Sequence, residues 1–99
     1  MTTQQKIDLY QKVLSFYSKN NFLHHEDKLK FFSGLCNVYR FLYNDNRINK
    51  NEFVFLSSEI SDYRQLKNIE SLWLWHAFEY APRLAYLNDR LTHYQNELN

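Results

Sequence analysis

Gly34 is the only glycine in this chain and Pro82 the only proline, and that scarcity constrains the fold more than any other feature of the sequence. Tight β-hairpins lean on glycine at positions of positive φ, so a strand-rich fold would be starved of turns. Helices need neither residue. The turning residue here is asparagine, at Asn20-Asn21 and repeatedly between Asn44 and Asn51. Asparagine tolerates the left-handed region and caps helices, which suits a helical bundle with short connections. With 99 residues there is material for one core and one domain, spanning 1–99.

Apolar spacing divides the chain into about four helices, an all-α class. The first is expected over Thr3 to Lys19, with Ile7, Tyr10, Leu14 and Tyr17 at helical intervals and Leu9, Val13 and Phe16 widening the stripe. A second is expected from about Glu26 to Tyr43, carrying Leu29, Phe32, Leu35, Cys36, Tyr39, Leu42 and Tyr43. The third has the clearest start. Asn49 is placed to cap it, Glu52 three residues later to complete a capping box, and Ile48 with Phe53 to form a hydrophobic staple. Its core face is Phe53, Leu56 and Ile60, ending near Tyr63. The last helix is expected to begin at Pro82. Its residues Leu84, Leu87, Leu91, Tyr94 and Leu98 make a narrow seam, a candidate surface for homo-oligomer formation. Arg64 to Ala81 fits a helix to about Ile69 and then an irregular, aromatic-rich segment ahead of the last helix.

Charge argues against several function classes. Twelve Lys and Arg balance eleven Asp and Glu for a net +1, and no run of like charge exceeds two residues. A duplex-binding protein concentrates positive charge, so duplex nucleic acid is disfavoured as a partner. The N-terminal stretch is polar, no apolar run is long enough for a membrane span, and one cysteine cannot form an internal disulfide. A cytoplasmic location with no membrane association is the expectation.

No motif carries a recognisable catalytic or metal chemistry, and the expectation is a non-enzyme without cofactors. Phe41 to Phe53 has the outline of a calcium loop, but its first and third ligand positions would be Phe41 and Tyr43, which offer no oxygen ligand there. His24-His25-Glu26 lacks metal-ligand spacing, since adjacent histidines on a helix diverge by about 100°. Cys36 lies on the apolar stripe of the second helix, where a free cysteine acts as a small hydrophobe. The remaining candidate is the cluster Trp73, Trp75, Phe78, Tyr80 and Arg83, read either as core or as a partner-binding surface. Trp, Tyr and Arg are the types enriched at binding hot spots. Arg83, one residue off the leucine seam, is expected to be exposed, and with the N-terminal amides of its helix it could receive a small anionic ligand such as a signalling nucleotide.

Gly34-Leu35-Cys36, the later Trp73-Leu74-Trp75 and the following Pro82-Arg83-Leu84-Ala85-Tyr86-Leu87 together resemble a loose group of small proteins of tailed phages. These carry a Gly-Leu-Cys element, a Trp-rich segment and a C-terminal helix with arginine and leucine. The matching pieces cover about a third of the chain, and His76-Ala77-Phe78 departs from the proline and glycine of the pattern. The resemblance implies a phage accessory protein in the host cytoplasm that binds and inhibits a host protein, such as a component of antiviral defence.

Overall fold

The computed structural model describes residues 1–19, 31–66 and 80–99, and among them every regular element is a helix. These are α1 (Thr3–Lys19), α2 (Phe31–Asn44), α3 (Lys50–Leu66) and α4 (Tyr80–Leu98). The bounds of α1 coincide with the expectation from apolar spacing. Helix α3 runs one turn past Tyr63, and α4 begins two residues ahead of Pro82, which stays in the first turn where its missing N–H has no partner to lose. The expected start of α2 at Glu26 and residues 73–79 of the segment expected to be irregular fall outside the described residues, while Tyr80 and Ala81, the end of that segment, are helical.

Helix α1 lies chiefly against α4 and α2 against α3. The α1–α4 pair is antiparallel: Thr3 reaches Glu97 at one end, and Arg83 donates to the Tyr17 hydroxyl at the other. All four helices contribute to one buried cluster, including Ile7, Tyr10, Val13 and Tyr17 from α1, Leu35, Val38, Tyr39 and Leu42 from α2, Leu56 and Ile60 from α3, and Tyr86, Leu87 and Tyr94 from α4. A radius of gyration of 13.0 Å fits one packed unit of this length.

The α2–α3 connection follows from its asparagines. Asn46 adopts φ 58°, the left-handed region. The Asn46 N–H donates to the Tyr43 carbonyl at 3.1 Å and the Arg47 N–H to the Leu42 carbonyl at 2.9 Å, the two bonds of a Schellman motif. The chain then turns Ile48 into the core and starts α3 at a complete capping box. Glu52 N–H donates to Asn49 Oδ1, and Asn49 N–H to Glu52 Oε1, both at 2.8 Å.

Helix α4 corrects the expected seam. Leu87 and Tyr94 are buried, but Leu84 and Leu91 are only partly covered and Leu98 is exposed. The buried face is rotated toward Arg83 and Tyr86, which turns Leu87 and Tyr94 into the core and leaves Leu84, Leu91 and Leu98 toward its edge. Arg83 is 0% exposed, contrary to the expectation of a solvated residue. The physical reason is that the core it enters is lined with tyrosine hydroxyls, which can accept from a guanidinium.

Candidate functional site

Two groups of side chains stand out, one buried and one on the surface. The buried group centres on Glu59 of α3, which sits on the same helical stripe as Leu56, Ile60 and Tyr63. Glu59 Oε1 accepts from the Tyr94 hydroxyl at 2.6 Å, the Tyr10 hydroxyl at 3.2 Å and Arg90 Nε at 3.3 Å. Arg90 and Glu59 form an ion pair whose side chains are only 13% and 14% exposed. Burial disfavours the Arg90 cation, but the Tyr94 hydroxyl and the Glu59 carboxylate outweigh it and leave its pKa raised. Lys6 closes the outer edge, with Nζ 5.1 Å from the Tyr94 ring and 5.5 Å from the Phe55 ring.

This arrangement holds helices together. Three donors from α1 and α4 converge on a single oxygen of the α3 carboxylate. The surrounding phenols are kept neutral. Burial, followed by the bond to Glu59, pushes Tyr94 up to about 12. Burial, then neighbouring Tyr39, Tyr86 and Glu59, raises Tyr10 far above the usual phenol range. The fully buried Tyr39 and the mostly buried Tyr86 are raised for the same leading reason. These neutral phenols gain nothing a general acid or base would need near neutral pH.

The surface group lies where α1 meets the α2–α3 connection. Phe41 of α2 is 46% exposed, yet its ring stacks on Phe16 of α1 with centroids 5.6 Å apart and planes 24° from parallel. The Arg47 guanidinium lies over the same Phe16 ring at 5.5 Å, and Arg47 Nε donates to Asp45 at 2.6 Å. Lys12 Nζ donates to the Arg47 carbonyl at 2.7 Å, fastening the connection to α1. An exposed aromatic ring is thus held in one place by a second ring, beside a guanidinium itself held by a carboxylate. Farther along α2, Tyr43 is 38% exposed with its ring 5.3 Å from that of Phe53.

A separate cleft of about 300 Å³ is lined by Met1, Gln5, Asn49, Asn51 and Glu52. The Asn49 and Glu52 side chains are engaged in the capping box, and the Glu52 carboxylate opposes an anionic ligand.

Of the residues singled out in the sequence, Trp73, Trp75 and Phe78 lie outside the described residues, as does the side chain of Tyr80. Arg83 is described and is core. The idea that it receives an anion at the surface is corrected accordingly: its guanidinium faces inward to Tyr17. Cys36 is half-buried, and burial pushes its thiol pKa up despite the nearby Arg40, the opposite of nucleophile activation. His24, His25 and His76 are outside the described residues, while His93 pairs with Glu97 on the surface of α4 at 3.1 Å. Among the described residues, no group of three His, Cys, Asp or Glu could hold a metal ion, and no helix is long and apolar enough to cross a membrane.

Sequence reasoning passed over both Glu59 and Phe41. The available signals were a glutamate on an apolar stripe, and an aromatic ring off the Leu35–Leu42 stripe just ahead of an Asn- and Arg-bearing turn. Comparison with known proteins found no match: no family model fits the chain, and no curated protein or solved structure is significantly similar to it.

Proposed function

We propose that this chain is a non-catalytic binding protein that docks on another protein through the Phe41 corner. The observation that carries the reading is Phe41 itself: a large apolar ring, 46% exposed, already fixed on Phe16 beside the Arg47 guanidinium. A ring immobilised before binding loses little side-chain entropy when a partner covers it, and aromatic–arginine surfaces are the chemistry of binding hot spots. The Trp73-to-Tyr80 stretch supplies more residues of that type in the sequence. The resemblance to small tailed-phage proteins supports a host protein as the partner, the host cytoplasm as the setting and inhibition of a defence component as the outcome.

The test is affinity purification from a bacterial lysate on the immobilised native chain and on its Phe41→Ala variant, with bound proteins quantified by mass spectrometry. The reading expects at least one protein enriched on the native chain and lost on the variant. It fails if both retain the same proteins, or if the native chain retains nothing beyond a blank matrix.

A further inference from the structure

We infer that the Phe41 corner takes an acidic protein segment bearing an apolar anchor residue. This rests on the reading of Phe41 as the docking surface and adds the chemistry of what covers it. Lys12, Phe16 and Lys19 fall at i, i+4 and i+7 of α1, so the two exposed lysines flank the ring on which Phe41 stacks. The 2.7 Å bond from Lys12 Nζ to the Arg47 carbonyl places that ammonium at the corner itself. Arg40 is exposed one position before Phe41 in α2, about 100° around the helix from it. Arg47 completes the set above Phe16.

Among the described residues, Lys12, Lys19, Arg40 and Arg47 are set against Asp45, which is bound to Arg47. Asp8, one turn before Lys12, accepts from the Gln4 side-chain amide at 2.9 Å and keeps its charge, so these four cations are set against two carboxylates. The whole chain carries only +1, so this positive surplus is local and not a general basic character. Complementarity then requires a partner with carboxylates around an apolar side chain: the anchor packs on the open face of Phe41, and the carboxylates meet the lysines and Arg40. A nucleic-acid strand fits less well. Its phosphates call for cations spaced along a groove, whereas these surround a single ring and one is already neutralised by Asp45.

The experiment is fluorescence anisotropy with four labelled probes on the intact chain. Three are short peptides: Glu-Glu-Leu-Phe-Glu-Glu, its basic counterpart Lys-Lys-Leu-Phe-Lys-Lys, and Glu-Glu-Ser-Ser-Glu-Glu, which lacks the anchor. The fourth is an oligothymidylate. The acidic anchored peptide should bind at least about tenfold more tightly than any other probe, more weakly as salt is added, and about tenfold more weakly to Phe41→Ala or to a Lys12→Glu, Arg40→Glu double variant. The helical circular dichroism of each variant should match that of the native chain, since the Lys12 bond to the Arg47 carbonyl and the Phe41 stack lie at the surface and no helix depends on them. Tighter binding of the basic peptide, lost with Phe41→Ala, would overturn the acidic preference while leaving the docking surface in place. Tightest binding of the oligothymidylate would replace the protein partner with nucleic acid. Binding of the acidic peptide unchanged by Phe41→Ala, or no binding of it up to about 1 mM, would overturn the inference.

Discussion

The Tyr94 hydroxyl of α4 donates a 2.6 Å hydrogen bond to Glu59 Oε1 of α3, and through that oxygen the last helix is tied to both α3 and the Tyr10 hydroxyl of α1. Because the acceptor is a nearly buried carboxylate, the bond belongs to the stronger class of hydrogen bonds to charged groups. Tyr94→Phe should therefore cost about 1.5 kcal/mol. Glu59→Ala, which strands the Arg90 cation as well as two hydroxyls, should cost about 3 kcal/mol. Urea denaturation of the two variants checks both values. A Tyr94→Phe midpoint equal to that of the native chain would contradict the assignment.

The raised tyrosines predict an alkaline transition. Tyr10, Tyr39, Tyr63, Tyr86 and Tyr94 all have folded pKa values above the ordinary 10.0, with Tyr94 at about 12. Their neutral forms are favoured by folding. The stability they contribute is thus complete below pH 10 and is lost as pH rises from 10 toward and beyond 12. Tyrosinate absorbance and helical circular dichroism, followed together against pH, should change in one cooperative step. Smooth ionisation of all the tyrosines near pH 10 with the helices intact would contradict this packing.

Arg83 makes the third prediction, and it reverses what its position beside the leucine seam implies. As a fully buried residue bonded to Tyr17 at 3.3 Å, it should melt like a core residue when truncated. Arg83→Ala and Leu87→Ala should each cost about 2–4 kcal/mol. Arg83→Met, which keeps the volume and removes the charge, should restore much of the loss. An Arg83→Ala variant with native melting would contradict the burial.

The capping box makes the fourth. Asn49→Ala removes the acceptor of the Glu52 N–H and should lower stability by about 1 kcal/mol. In a double-mutant cycle with Glu52→Ala the two losses should be non-additive, because each side chain bonds the other's backbone. Strict additivity would separate the two bonds.

Local rules were enough for much of this fold. The ends of α1, the cap at Asn49 and a turn on the asparagines between Asn44 and Asn51 are decided by residues a few positions apart, so the sequence states them directly. The interior of α4 was not legible in the same way. Leucine spacing places the contact line on Leu84, Leu87 and Leu91, but the direction the helix faces depends on hydroxyls from α1 and a carboxylate from α3, which distant segments supply. Arg83 and Arg90 look solvent-bound until Tyr17 and Glu59 are placed beside them. The same limit applies to Phe41. Its neighbours in sequence mark it as one more aromatic of a helix, and only the approach of Phe16 from α1 and Arg47 from the turn makes it a fixed surface feature.

The most direct test of the central claim is site-specific photocrosslinking in bacterial cells, with a benzophenone amino acid placed at position 41 or at exposed position 95 of α4. The account predicts a discrete crosslinked partner from position 41, absent from position 95 and suppressed by the charge reversals Lys12→Glu and Arg40→Glu. The same crosslinks from both positions, or none from position 41, would contradict it.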